Sequence, residues 1–364
     1  MLKIFKKNFG KFLIILITCL ILTIPVLSFL SKKDPEKDEN KIVIIATTTI
    51  LDDAIRHLIG EVDIGEVDKE ENVKYKKIES IICKDPLMGV GIDPHNYKTK
   101  LSDRRKIQKA DLVVVNGLHL EAKMVEAFKL LKKDTLFPIG DNLEKKDILI
   151  EENSKDCDPH IWFDIDLWKK VVDKLKDKLE KIIPNENIED KKKLDNNYNL
   201  FKKSLKDLKE NIIERTTNLK KLKEKNNNKL ILVTAHDAFS YWQKFSKENK
   251  CEFELNSIQG ISTQTEANIK NVIELAEKLA LNDVKAIFKE SSMPKDSLQS
   301  LKEEVDKSRN KRGLSPILIP ENAELYSDSL GKDGKEELNK NFYKHSTYVG
   351  AFLNNMRIIE KYLS

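Results

Sequence analysis

The sequence predicts an α/β fold of two lobes, each with a mainly parallel sheet, joined by one long rigid helix. Three observations carry this reading. Short runs rich in β-branched residues alternate with stretches of helical spacing, the pattern of βα units. Those runs are apolar throughout, as expected of strands buried on both faces. Between two such alternating regions lies a charged segment, Ile188 to Lys225, that keeps a single apolar stripe along its length.

The chain opens with MLKIFKKNFGK, which holds four lysines and no acid. Phe12 to Leu30 then runs uncharged for about nineteen residues, near the span of a hydrocarbon core. A basic start, an apolar run broken by Pro25, and the small pair Val26 and Ser28 at cleavage-site spacing read as a secretory signal. An uncleaved membrane anchor is the other reading of 1–30, and either one takes the chain out of the cytoplasm. Cys19 is a poor lipid-attachment site, because Thr18 precedes it and the apolar run continues well beyond it. Residues 31–40 form a charged spacer.

The first lobe spans 41–187, with strand-like runs at Lys41 to Thr49, Lys77 to Cys83 and Asp111 to Asn116. The linking helix spans 188–228. Leu194, Tyr198, Phe201, Leu205, Leu208, Ile212, Leu219 and Leu222 recur there at three- and four-residue steps. At 1.5 Å per residue, a helix of about 35 residues reaches roughly 50 Å, the dimension of a whole protein of this size. The flanking α/β patterns favour a strut packed across two lobes over a coiled-coil or partner-binding helix. Asn226, Asn227 and Asn228 end it. The second lobe spans 229–364, with strand-like runs at Lys229 to Thr234, Val284 to Phe288 and Pro316 to Ile319.

Composition bounds the function. A chain of 364 residues with 40% apolar content, ten Pro and twelve Gly can build a packed core and is neither disordered nor fibrous. Its 65 basic residues against 60 acidic ones give a formal charge of +5. The four lysines of the leader account for most of that surplus. The body lacks the basic, aromatic-studded surface of a nucleic-acid binder. Outside the leader only Cys83, Cys157 and Cys251 remain, too few for a disulfide framework, with room for one bridge at most.

Six histidines are present, and two of them close the same triplet, Asp93-Pro94-His95 and Asp158-Pro159-His160. Proline fixes its own φ and restricts the residue before it, so each imidazole is held on a stiff turn. His236 follows the run ending at Thr234, where a strand gives way to a helix and where α/β sheets bind ligands. Three neutral imidazoles and one carboxylate would satisfy a divalent transition metal. Asp328 lies on a late loop rich in small residues, and taken alone it reads as a turn or cap residue.

A resemblance adds to this reading. GIDPHNYK (91–98), ADLVVVNGLHLEAKM (110–124), DPHIWFD (158–164), TAHDAFSYW (234–242), IQGISTQTEA (258–267), AIFKESS (286–292) and ELYSDSLG (324–331) stand in the order and approximate spacing of a known family. The chain resembles the TroA-like metal-binding proteins of zinc and manganese ABC importers, from Lys41 to the C-terminus. The resemblance implies two α/β lobes joined by a single long helix. It also implies the ligands His95 and His160 from the first lobe, and His236 and Asp328 from the second. The implied ligand is Zn²⁺ or Mn²⁺ as cargo, the implied partners are a membrane permease and its ATPase, and the chain is expected to be a monomer. Many zinc-specific relatives carry a His-rich loop where Leu120 to Cys157 has no histidine, and some manganese-selective ones have Glu in place of His236, so the chain matches neither class.

The other candidates read more plainly. His119 takes a local structural role, and His57 and His345 lie in helical patterns. Cys157 precedes a turn that aims His160 and not itself. Glu290 either orients a ligand from behind or caps the next helix. Trp162, Phe163, Tyr241 and Trp242 are core anchors around the site. Two other function classes compete with metal capture. A metal-dependent hydrolase also uses three histidines and an ion, but the sequence has no H-E-x-x-H helix and the site has a fourth protein ligand. A surface adhesin of the same fold finds no positive sign. With three histidines of ordinary pKa, about 6.5, metal affinity is expected to weaken as pH falls below about 6.

Overall fold

The first sheet is formed by β1 (Ile42–Ala46), β2 (Ile81–Lys84), β3 (Leu112–Val115) and β4 (Leu136–Pro138), in the order β2-β1-β3-β4 with every pair parallel. This is a computed structural model, and it describes residues 41–65, 74–151, 155–225, 229–263, 269–294 and 298–363. The leader and spacer (1–40), the Asn226–Asn228 stop and the end of the IQGISTQTEA segment lie outside the described residues. Helix α1 (Thr49–Ile59) follows β1 and is capped by the Thr48 hydroxyl, which accepts the Leu51 N–H at 3.3 Å. It stops at Gly60, whose φ is 76°. A Cβ there would stand 2.2 Å from the Lys76 carbonyl oxygen, so only glycine turns the chain here. The outer face of the sheet is covered by α2 (Leu101–Lys109) and the single turn α3 (Val125–Phe128), through Ile107, Met124 and Ala127. The sequence does not announce β4, a three-residue strand at the sheet edge that ends in proline.

After α4 (Ile165–Ile182) comes α5, unbroken from Ile188 to Lys225. Its buried stripe runs Leu194, Phe201, Leu205, Leu208, Ile212 and Leu219, as the spacing requires. Leu222 departs from it and is 42% exposed. Asn197 lies in the stripe unannounced. Its carboxamide oxygen accepts the Lys76 N–H at 2.8 Å, and its amide nitrogen donates to the carbonyls of Leu58 at 3.0 Å and Lys76 at 2.8 Å. A buried amide with its polar atoms satisfied ties α5 to the end of α1 without leaving an unpaired group.

The second sheet contains β5 (Ile231–His236) paired in parallel with β6 (Glu254–Gln259), flanked by α6 (Ser240–Glu248), α7 (Ile269–Leu281) and α8 (Gln299–Asn310). Two expected strands are corrected. Val284 to Phe288 and Pro316 to Ile319 form the isolated parallel bridge Ala286–Leu318, and the Phe288 N–H reaches the Val233 carbonyl of β5 at 3.2 Å, without a regular ladder. Side chains take some of the backbone groups nearby. The buried Arg309 guanidinium takes the carbonyls of Val284 and Ser315, and the Glu290 carboxylate takes the N–H groups of Ala235 and His236 that a neighbouring strand would otherwise meet. β6 was missed because ELNSIQ is polar and only half-buried.

The chain closes with an antiparallel hairpin, β7 (Lys335–Leu338) with β8 (Asn341–Lys344), and α9 (Tyr348–Leu363). Neither strand was foreseen, and His345 sits in the turn between β8 and α9 instead of in a helix. α9 packs on α5 and α1. Tyr348 donates its N–H to Asp53 at 2.9 Å and its hydroxyl to the Trp162 carbonyl at 2.6 Å. Residues Ile42–Ser364 therefore form one unit. Its central core joins Phe163, Trp168, Trp242 and Phe352 to the α5 stripe, and a separate cluster lies on the outer face of each sheet. Cys83, Cys157 and Cys251 are all free thiols. Among the described residues no helix is long and apolar enough to cross a membrane.

Candidate metal centre

His95, His160, His236 and Asp328 come from four places that are remote in sequence and meet at one buried point. Their exposures are 3%, 0%, 0% and 1%. His95 rides on the loop after β2, His160 opens a 3-10 turn (Ile161–Phe163) ahead of α4, His236 is the last residue of β5, and Asp328 lies on the bend after the Glu290–Leu325 bridge. Nε2 of His160 stands 3.2 Å from Nε2 of His95 and 3.3 Å from Nε2 of His236. Asp328 places Oδ1 at 3.5 Å from the His160 Nε2 and Oδ2 at 3.4 Å from the His236 Nε2. All four ligand atoms lie within 4.8 Å of one another. Four atoms on a tetrahedron around an ion at 2.0–2.1 Å stand roughly 3.4 Å apart, and the two Nε2–Nε2 separations about His160 are close to that spacing. The buried Oδ1 of Asp328 has no hydrogen-bond partner, as a carboxylate oxygen reserved for a cation would.

The two Asp-Pro-His turns share a backbone and differ in what the aspartate does. In both, an aspartate Oδ1 accepts the histidine N–H at 2.9 Å. Asp158 Oδ1 also takes the His160 Nδ1–H at 2.7 Å, which turns Nε2 toward the centre. Asp93 uses its second oxygen elsewhere, on Asn96 and Thr263. Glu290 lies behind His236, where orientation was one of its two readings: Oε2 lies 2.6 Å from the His236 Nδ1, while Oε1 accepts the backbone N–H groups of Ala235 and His236 at 2.7 and 2.9 Å. Asp328 is steadied by the Ser292 hydroxyl at 3.1 Å, which also meets the Ser327 hydroxyl at 2.9 Å. Asp158 and Ser292 were missed as orienting groups. The repeated triplet carried a signal for Asp158, and nothing local carried one for Ser292.

The electrostatics follow. Burial works against charge on all three imidazoles. For His160 the Asp158 and Asp328 carboxylates overcome it and push the pKa up to about 9. Glu290 and Asp328 likewise raise His236 well above the ordinary range. At His95 burial, with the neighbouring His160 and His236, outweighs Asp328, and its pKa falls to about 3. Asp328 is buried too, but the two imidazoliums hold it ionised, well below the usual carboxylate range.

The remaining candidates stay outside the cluster. His119 is exposed, in a turn where Gly117, Leu118 and His119 all have positive φ. His57 is core, stacked on Phe201 with ring centroids 4.0 Å apart. Cys157 pairs with Ile150 in a backbone bridge. Trp162, Phe163, Tyr241 and Trp242 are buried, and the Trp162 Nε1–H donates to the Ser327 carbonyl at 2.9 Å, next to Asp328.

A long helix between two parallel sheets in sequence, with a buried His₃Asp cluster assembled from both sides of that helix in sequence, defines a metal-ion-binding protein of the solute-receptor class. The family of the zinc-uptake complex component A, periplasmic (ZnuA), matches residues 44–362, and the chain belongs to that family. Members of this kind are the substrate-binding components of ABC transporters. The chain is 29% identical to the manganese-binding lipoprotein MntA of Bacillus subtilis (strain 168), covering 89% of this chain and 90% of that protein. It is 32% identical to the zinc-binding protein TroA of Treponema pallidum (strain Nichols), over 75% of this chain and 79% of that one. The solved structure of the periplasmic zinc-binding protein TroA from Treponema pallidum superposes with a TM-score of 0.70 at 29% identity, covering 89% of this chain and 99% of that chain.

Proposed function

We propose that this chain is an exported solute-binding protein that captures Zn²⁺ or Mn²⁺ through His95, His160, His236 and Asp328 and hands it to an ABC permease driven by a cytoplasmic ATPase. The ligands would divide between two lobes, 41–187 and 229–364, on either side of the 188–228 helix. The observation that carries this reading is the spacing of the four ligand atoms, 3.2 to 3.5 Å in the pairs given above. The protein acts as a monomer, held outside the cytoplasm by residues 1–30 as an anchor or exported by them as a signal. It catalyses no reaction: four protein ligands close the coordination sphere, where a hydrolytic zinc keeps one position for water. Nitrogen-rich sites bind Zn²⁺ above Mn²⁺ in the Irving–Williams order, so manganese would be taken where it is the available ion.

The test is elemental analysis of protein purified without added metal, followed by competition titration and melting. Protein from a native expression host should carry close to one equivalent of Zn or Mn. Stripped protein should melt higher when either ion is restored, by mass action on the folded state. Metal-free protein that takes up neither ion would end this reading.

Acidity supplies a second test, and here the structure revises the expectation from ordinary histidines. His160 is raised to about 9, and the carboxylates beside His236 shift it in the same direction. His95 is lowered to about 3 and is already neutral. Binding must expel the His160 proton, so affinity should already be falling as pH drops below about 9, by close to tenfold per pH unit. Calorimetry at pH 7 in buffers of different ionisation enthalpy should report at least about one proton released per ion. Release of none, with affinity flat from pH 8 to 6, would contradict the site.

A further inference from the structure

Thr263 belongs to the segment IQGISTQTEA, for which the ligand set has no use, yet it touches the machinery that aims His95. Its hydroxyl donates to Asp93 Oδ2 at 2.8 Å and accepts from Asn96 Nδ2 at 2.9 Å, and Asn96 Nδ2 also reaches Asp93 Oδ2 at 2.9 Å. The other oxygen of the same carboxylate accepts the His95 N–H at 2.9 Å. One aspartate thus connects the turn that presents His95 to a residue just past β6, on the other side of α5 in sequence. Lys123 Nζ fixes the Asn96 carboxamide from the opposite side. Nearby, the Gly91 N–H donates to the Ser329 hydroxyl at 2.9 Å, one residue from Asp328. Gly91 has φ 74°, and a Cβ there would come within 3.3 Å of the Ser291 carbonyl, so the loop lies close against the second half.

Of the three histidines, His95 stands on the least regular stretch of backbone. His236 ends a strand, and His160 opens a 3-10 turn. His95 sits on a segment without regular structure, whose Gly89 to Ile92 stretch is exposed. The second Asp-Pro-His triplet has no counterpart of the Thr263 contact, because Asp158 Oδ1 serves the His160 backbone and ring and its Oδ2 has no partner. An ion held by four groups leaves by losing them in turn, and the group on the least supported segment is the first to go.

We propose that Thr263, acting through Asp93, is a positioning residue that latches His95 onto the ion and sets the rate of metal release. This rests on the metal-capture reading above. Two hydrogen bonds, each modest in net free energy, together correspond to about tenfold in rate, and such changes fall mainly on dissociation.

The experiment is stopped-flow release of Zn²⁺ from the loaded full-length protein into excess chelator. Thr263→Val should release about tenfold faster than wild type, with association within about twofold and an unchanged metal-free melting temperature. Thr263→Ser, which restores the hydroxyl, should return the wild-type rate. Asp93→Asn keeps an oxygen for the His95 N–H and turns a donor toward Thr263. It should match the Val variant, and the double variant should be no faster than either single one, as for two parts of one contact. Release from Thr263→Val at the wild-type rate, while the wild type binds Zn²⁺, overturns the latch alone. So does faster release accompanied by an equal loss of metal-free stability. A wild type that takes up no Zn²⁺ overturns the latch and the functional reading together.

Discussion

Replacing Asp328 by Ala should weaken Zn²⁺ binding on the order of 100-fold or more, beyond the 10- to 100-fold typical when a group that merely supports a ligand is lost. Asp328 is the single carboxylate among the four clustered residues, and its two oxygens face His160 and His236 at 3.5 and 3.4 Å. Without it, three imidazoles must hold a dication in a buried site, with the nearest anions, Asp158 and Glu290, lying behind the rings of His160 and His236 and not on the ion. The informative comparison is Asp93→Ala. That aspartate shapes a turn and carries the Thr263 contact but directs no oxygen at the cluster, so its loss should lower affinity by about tenfold at most. Competition titration with a chromogenic chelator measures both. Metal should also raise the melting temperature of wild type and of Asp93→Ala, and much less that of Asp328→Ala. If Asp93→Ala loses the ion and Asp328→Ala keeps it, the ligand set is wrong, and with it the division of the site on which capture depends.

The second large effect is expected far from the metal. Leu208 sits at 0% exposure in the middle of α5, within the core that α1, α4 and α9 share. Leu208→Pro removes a backbone hydrogen bond and clashes with the preceding turn, at about 3 kcal/mol or more. Losing a well-packed buried leucine adds about 2 kcal/mol or more. Against a native stability of about 5–15 kcal/mol this is a large fraction, so the melting temperature should fall steeply. Metal affinity should fall with it, although none of the four clustered residues has been altered, because the core around Leu208 includes Trp162, Phe163 and Phe239, close in sequence to His160 and His236. Leu222→Ala is the control. That side chain is 42% exposed in the last turns of the same helix, and its truncation should change stability by about 0.5 kcal/mol or less. Thermal melts and the same chelator titration decide it. A folded Leu208→Pro protein with wild-type affinity would show that α5 is not the strut on which the site depends.

The elements legible in the sequence are those specified by near neighbours. The bounds of α5 follow from a three- and four-residue recurrence in which each apolar residue depends on the turn before and after it, and the helix runs from Ile188 to Lys225 as that recurrence requires. β1, β3 and β5 are apolar enough to be read without context. His95 and His160 were singled out because Asp-Pro restricts the backbone beside each of them, which is also a local effect. Asp328 was legible only through resemblance, since a lone aspartate in a small-residue loop carries no signal of its own.

What tertiary structure decided depends on groups far apart in the chain. Val284 to Phe288 has the composition of a strand, but it forms a single bridge, with the Val284 carbonyl taken by Arg309 and the Ala235 N–H by Glu290. Leu222 keeps the helical period and still faces water, because the core ends before the helix does. Of two identical Asp-Pro-His triplets, one aspartate takes its own histidine's ring and the other meets Thr263, which is 170 positions away. The convergence of three Nε2 atoms and one carboxylate is the clearest case. The sequence by itself determined which side chains are held stiffly and what chemistry they carry. Only tertiary packing decided that they meet at one point, because periodicity constrains a residue against its neighbours within a few positions, whereas a metal centre is a set of distances between residues more than sixty positions apart.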